Sequence, residues 1–277
     1  MAGAIWWRIA VRNLWRNPGR TALAGGGLAF GFAAAVTMVA VSDGMSREMV
    51  VTGTAALSGQ IQIHAAGYLP ARQTWTTIGG AGGTDPTRLL DALRARPGVA
   101  AAAPRVWGGG LLSLGDQTVA AGLLGVLPEA EHGVSRFLDG MSAGRAPTPG
   151  TREIALGAET ARRLHASPGD TIVVVAPAAD GSLGNDLYTV SGVWQSGLAE
   201  LDAGLAVLPL DALQRLLALG PDRIHEVAIA LGDPWSAAAI ARSLDSLPRL
   251  RTLGTAIEPW TVFRPELASF AALARGT

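Results

Sequence analysis

Residues 21–42, TALAGGGLAFGFAAAVTMVAVS, carry no ionisable side chain. As a helix they would extend about 33 Å at 1.5 Å per residue, against a bilayer hydrocarbon core of about 30 Å. Arg8, Arg12, Arg16 and Arg20 precede the run at four-residue intervals. That spacing keeps them close to one face of a helix. Trp7, Val11, Leu14 and Trp15 lie away from that face. A cationic face with tryptophans beside it suits the plane of a membrane interface, so Trp6, Trp7, Arg8, Arg12, Trp15, Arg16 and Arg20 are the expected interfacial residues. Asn17-Pro18-Gly19 should break this helix before the span begins.

The other flank holds Asp43, Arg47 and Glu48, with little net charge. The positive-inside rule therefore puts the N-terminus in the cytoplasm and residue 43 onward outside. A cleavable signal peptide is the rival reading, with Ala40-Val41-Ser42 ahead of a cleavage site. Signal peptides use an apolar region of about 7–15 residues, and this one is longer, which favours an uncleaved span. Within it, Gly27 and Gly31 form a GxxxG pair that Ala35 extends. Such a face lets a second membrane helix approach closely, although glycine and alanine are abundant throughout this chain.

The rest of the sequence is that of a folded domain. Charged residues make up 16% of the 277, against about 25% in an ordinary soluble domain, and mean hydropathy is +0.29. With no cysteine, neither disulfides nor thiolate metal sites are available. The formal net charge of zero argues against a nucleic-acid partner. Every basic residue is arginine; without a lysine there is no Walker A motif, so any ATP hydrolysis belongs to another chain.

Two stretches echo each other. GQIQIHAAGY (59–68) with DPTRLLDALRARPGVAAAAPRVW (85–107), and IHEVAIALGDPWSAAAIARSLDSLPRLRTLGTAIEPW (224–260), each read strand, Asp-Pro, helix, Pro, strand, Trp. Asp85 and Asp233 are placed as N-caps, with Pro86 and Pro234 at the first helical position. Leu89, Leu90 and Leu93 give one apolar helix face; Ala237, Ile240, Ala241 and Leu244 give the other. Gln60, Gln62 and His64 alternate with Ile61 and Ile63, the pattern of a half-buried strand. Two such units commonly pair into a ferredoxin-like sheet with helices on one face. Between them, residues 128–217 hold short strands and Pro/Gly turns. REIALGAETARRLH (152–165) is strand then helix, SPGDTIVVVAP (167–177) turn then strand, DGSLGND (180–186) a hairpin loop, LYTVSGVW (187–194) its return strand, and DALQRLLAL (211–219) a helix. This block is expected to be a mainly β insertion.

The order of these pieces resembles the permease subunits of the macrolide-exporter and lipoprotein-release type of ABC transporter, the group that includes the division protein FtsX. RNLWRNPGRT before a glycine-rich span, SDGM (42–45), SGQIQIHAAGY (58–68), DGMSAGR (139–145), EIALGAETARRL (153–164), PGDTIVVV (168–175), YTVSGVW (188–194) and the Trp260…Pro265-Glu266-Leu267 stretch carry the likeness. The resemblance implies a noncatalytic inner-membrane subunit, its main domain periplasmic, that passes motion from a partner ABC ATPase to a lipoprotein or hydrophobic substrate. Membrane lipid, a second permease copy or paralogue, and a periplasmic partner would be its other contacts. It also implies four membrane helices. This sequence holds one apolar run of that length and ends at Thr277, so it reads as a truncated form. A tethered regulatory module of the FtsX kind is the alternative, and an anchored enzyme a third.

Little supports the enzyme. Gly140-Met141-Ser142-Ala143-Gly144 matches G-x-S-x-G, but loop-like sequence lies on both sides, whereas a nucleophile elbow needs a strand before it and a helix after. His64, His132, His165 and His225 are scattered without ligand spacing, so no metal and no cofactor is expected. Trp107, Trp194, Trp235 and Trp260 are read as core rather than groove residues, and Tyr68 and Trp75 as the exposed partner contact. The expected fold is membrane-anchored α+β: one N-terminal transmembrane helix and a two-lobed extracytoplasmic domain, a ferredoxin-like lobe carrying the insertion. The expected boundaries are 1–20 interfacial helix, 21–42 span, 43–127 and 218–265 core lobe, 128–217 insertion, and 266–277 the lead-in to a second span.

Overall fold

A computed structural model describes residues 6–7, 12, 16–69, 71–80 and 86–275. Arg8, Trp15 and the Asp85 cap lie outside the described residues. The chain divides into two units, residues 1–49 with 270–277, and residues 50–269.

In the first unit, helix α1 begins at Pro18, just after a bend at Asn17, and is unbroken to Ala55. Proline suits a first helical position because its missing N–H would have had no intrahelical acceptor. The apolar run thus forms only the N-terminal part of a 38-residue helix. It is exposed along its length: Leu23, Phe30, Phe32 and Met38 are all more than two-thirds accessible. Thr37 Oγ1 donates to the Ala33 carbonyl at 2.8 Å, so its hydroxyl is satisfied inside the helix. Ala35 is exposed, and no atom lies within 4 Å of where a Cβ would stand on Gly27 or Gly31. Trp6, Trp7, Arg12, Arg16 and Arg20 are exposed too.

The second unit takes up the last turns of α1, where Val50 and Thr54 are buried. The helix stops because Gly59 turns left-handed (φ +68°) and its N–H returns to the Thr54 carbonyl at 2.9 Å. A Cβ at this position would lie 2.8 Å from the Ile229 carbonyl oxygen, so only glycine fits. Strand β1 (Ile61–Ala65) follows, then α2 (Pro86–Arg94), β2 (Val99–Leu114) and β3 (Gln117–Val126). Next come α3 (Pro128–Glu131), β4 (Met141–Gly144), β5 (Glu153–Gly157), α4 (Ala158–Leu164), β6 (Thr171–Pro177) and β7 (Leu183–Trp194). After these come α5 (Ala199–Gly204), β8 (Leu205–Pro209), α6 (Leu210–Leu216), β9 (Glu226–Leu231), α7 (Ala237–Asp245) and α8 (Pro248–Thr252). The chain closes with β10 (Thr255–Pro259), α9 (Trp260–Phe263) and α10 (Pro265–Arg275).

Strands β10, β1, β9 and β2 lie side by side in that order, each antiparallel to its neighbour. Helix α2 joins β1 to β2 and α7 joins β9 to β10, which is the split β-α-β arrangement of ferredoxin-like sheets. Leu89, Leu90 and Leu93 of α2 and Ala237, Ala241 and Leu244 of α7 are buried, as are Ile61, Ile63, Val227 and Ile229 of the sheet.

β2 is shared. Up to Arg105 it pairs with β9; from Leu111 it pairs with β6. Gly108-Gly109-Gly110 occupy the switch, and a Cβ on Gly110 would sit 2.5 Å from the Val175 carbonyl oxygen of β6. The remaining pairings run β2 to β3, β3 to β8, β8 to β5, β5 to β7, β7 to β6, and back to β2. These six strands therefore close on themselves as a small barrel, and closure leaves them no free edge. β4 adds outside it on β7.

Candidate functional site

The strand expected to be half-buried is buried on both faces. Gln60, Gln62 and His64 are at most 9% exposed, because the end of α1 lies across that side of the sheet. Gln60 Nε2 donates to Thr54 Oγ1 at 2.6 Å, and its Oε1 accepts from the Leu231 N–H. Gln62 Nε2 donates to the Ser58 carbonyl at 3.2 Å.

Beside these amides, Arg105 of β2 is completely buried. Its guanidinium grips Glu131 of α3 through Nε (3.1 Å) and Nη2, and Glu226 of β9 through Nη1 (2.8 Å). Nη2 also donates to the Leu57 carbonyl, just past the end of α1. Two more donors serve the same helix end: the Arg136 N–H reaches the Ala55 carbonyl at 2.8 Å, and Arg264 Nη2 the Gly53 carbonyl at 3.2 Å. A helix C-terminus carries unpaired carbonyls and partial negative charge, so guanidinium donors are its natural cap. Burial works against the charge on Arg105, but Glu131 and Glu226 outweigh it and push its pKa still higher.

Glu226 joins this cluster to an aromatic stack. Its Oε2 accepts from Trp107 Nε1 at 3.0 Å and lies 3.7 Å from His64 Nε2. Tyr68 is sandwiched between His64 and His225, with ring centroids 5.6 and 5.3 Å away. The Trp107 N–H donates to His225 Nδ1 (2.9 Å), so Nε2 holds the ring proton and donates to the Thr74 carbonyl (2.9 Å). Burial pulls the His225 pKa down, against the Thr74 bond and Glu226. Burial raises and Glu226 further raises the pKa of Tyr68. For Glu226, burial pulls upward, but His64 and Arg105 more than offset it, and the pKa falls to about 2.

These shifts give a pH dependence. His225, depressed in the fold, stabilises fully above its unfolded pKa of about 6.5, and that share is lost as pH falls below it. Glu226 stabilises above about 4.5, and its share is lost between there and about 2. Acid unfolding followed by tryptophan fluorescence should therefore show two losses of stability. Glu153, Glu159, Asp180 and Asp211 are also held below the usual carboxylate range and add to the lower loss, so Glu226→Gln should shrink it without abolishing it; a lower loss unchanged in this variant would contradict a contribution from Glu226.

The cluster forms the floor of a cleft of about 1240 Å³. Leu57, Leu69, Leu201, Leu205 and Phe263 line it, with Arg72, Glu200 and Glu258 among its charged groups. Of the four tryptophans read as core, Trp194 and Trp260 are buried: Trp194 packs on Phe137 and Trp260 on Trp235. Trp107 is only half-buried and lines the cleft. Tyr68 is 2% exposed and so corrects the expected surface contact: its ring is needed between the two histidines. Trp75 is 58% exposed. Ser142 sits on β4 with no helix after it and donates to the Val193 carbonyl, which is no nucleophile elbow. His132 makes a separate exposed pair with Asp139 at 2.8 Å. Among the described residues no group of three His, Asp or Glu side chains could hold a metal.

Residues 21–247 match the MacB-like periplasmic core domain, and the chain belongs to that family. It is 26% identical over 246 residues to the lipoprotein-releasing system transmembrane protein LolC of Neisseria meningitidis serogroup B, covering 85% of this chain and 54% of that protein. LolC of Xylella fastidiosa (strain 9a5c) is 30% identical over 155 residues, which are 53% of this chain and 37% of the relative. The chain thus spans about half the length, or less, of these curated relatives. The periplasmic region of MacB from Actinobacillus actinomycetemcomitans shares the fold, with a TM-score of 0.51 at 12% identity, over 79% of this chain and 95% of that one.

Proposed function

We propose that this chain acts as a permease-type subunit of an ABC transporter in the inner membrane. Residues 21–42 cross the bilayer, the arginine-rich N-terminus stays in the cytoplasm, and the folded domain lies in the periplasm. ATP is hydrolysed by a partner subunit, since this chain has no lysine for a Walker A motif. A second permease copy or paralogue completes the membrane part. By analogy with the LolC relatives, the cargo is a lipoprotein released from the membrane. One observation carries the reading: the helix from Pro18 is unbroken to Ala55, and donors from Arg264, Arg136 and Arg105 hold the Gly53, Ala55 and Leu57 carbonyls at and just past its end. Displacement of that helix end would be felt directly by β2.

Depletion of the chain from its host should trap lipoproteins in the inner membrane, measured by membrane fractionation. A reporter fused after Gln60 should be active only outside the cytoplasm. Normal lipoprotein sorting after depletion would remove the assigned cargo; a reporter active inside would reverse the topology.

A further inference from the structure

The cleft above the Arg105 cluster has no task in the transport reading, and its lining is specific. It is a broad cleft, open to solvent, of about 1240 Å³. Leu198 and Val262, 49% and 58% exposed, bring apolar surface into its lining. Arg72 lies 5.8 Å from the centroid of the Trp107 ring and is exposed. Among the described residues it has no carboxylate partner, whereas Arg105 in the same lining is fully engaged. A guanidinium resting on an indole face keeps its donor edge free for a carboxylate.

The loop that presents Arg72 is built to hold it. Arg72 adopts a left-handed conformation (φ 48°), which costs a non-glycine residue energy and persists only where the surroundings enforce it. Here its N–H bonds the Tyr68 carbonyl at 2.7 Å, Tyr68 is locked in the histidine stack, and Thr74 and Ile78 are tied to His225 and Ile224. The same lining offers the opposite charge through Glu200 and Glu258, neither in an ion pair with a described residue. A purely anionic or purely cationic small molecule would match half of this lining. A polypeptide carrying both signs beside apolar side chains matches all of it, and Trp and Arg are the residue types that dominate binding hot spots.

We propose that this cleft binds an extended polypeptide segment whose acidic side chain docks on Arg72 over Trp107, with apolar neighbours on Leu198, Leu201 and Val262. The inference goes beyond the transport reading and does not depend on it, because binding needs neither ATPase nor lipoprotein release. The test uses the full chain in lipid nanodiscs and two octapeptide pools. Both fix leucine on either side of a central residue, glutamate in one pool and glutamine in the other. Retained peptide is counted by mass spectrometry. The wild type should retain the glutamate pool about tenfold over the glutamine pool, a usual margin for a charged hydrogen bond. Arg72→Gln should bring that ratio close to one, and Val262→Asp should lower retention of both pools. Both side chains are exposed, so each variant should fold, which circular dichroism checks. Equal retention of the two pools by the wild type would overturn the proposal, and so would an unchanged ratio in Arg72→Gln. Displacement of the peptides by octanoate at equal concentration would assign the cleft to a free lipid-like acid and overturn the polypeptide reading.

Discussion

Arg105→Met should destabilise the folded domain by about 3–5 kcal/mol, because it leaves two buried carboxylates without their counter-ion. Glu131 is fully buried and Glu226 is 4% exposed, so neither can turn to water without opening the sheet. The Leu57 carbonyl loses its guanidinium donor at the same time. Urea unfolding of the purified chain, followed by tryptophan fluorescence, measures the loss. The triple variant Arg105→Met, Glu131→Gln, Glu226→Gln should regain most of it, since neutral amides in an apolar site cost far less than unpaired charges. A loss below about 1 kcal/mol in the single variant would mean that the cluster is reached by water and clamps nothing.

The second large effect concerns the apolar run. Ala35→Arg together with Met38→Arg places two charges in the second half of residues 21–42, and each costs up to about 2.5–3.5 kcal/mol, the insertion-scale value at the centre of a span. The doubly substituted chain should leave the membrane fraction under carbonate extraction, while Ala35→Leu with Met38→Leu should stay. Retention of the arginine variant would mean that this run is not the anchor and that the arginine-striped N-terminus holds the chain to the bilayer surface instead.

Much of the fold is legible in local pattern. The apolar helix through residues 21–42, the strand at Ile61–Ala65 and the helical character of α2 and α7 follow from periodicity, which acts within a few residues, whereas Asp233 caps a short 3-10 turn (Pro234–Ser236) ahead of α7 rather than α7 itself. The barrel is less so. β2 and β3 form a long hairpin through Gly108-Gly109-Gly110 and Ala120-Ala121-Gly122, and such small residues carry almost no alternation. Their strand character comes from partners on β6, β8 and β9 rather than from the segment itself.

The site was nearly hidden. Arg105 is a single charge inside the apolar run AAAAPRVW, and Glu226 a single acid ahead of VAIAL. A lone charge in a buried strand is a signal for a paired group, but it does not name the partner. The two residues are 121 positions apart, and Glu131 comes from a third segment. His64 and His225 lie far apart in the sequence and both stack on Tyr68, a contact that no spacing announces.

By itself, then, the sequence determined the local elements: the apolar helix, its arginine-rich flank, the two β-α-β units and the absence of any lysine or cysteine chemistry. These depend on residue type and spacing over a few turns of chain. Only the tertiary structure decided that Gln60, Gln62 and His64 are buried, that Arg105, held by two carboxylates, donates to the Leu57 carbonyl just past the helix end, and that Arg72 and Trp107 face a common cleft. Those outcomes rest on pairings between strands far apart in the chain, where burial turns ordinary polar side chains into an ionic clamp.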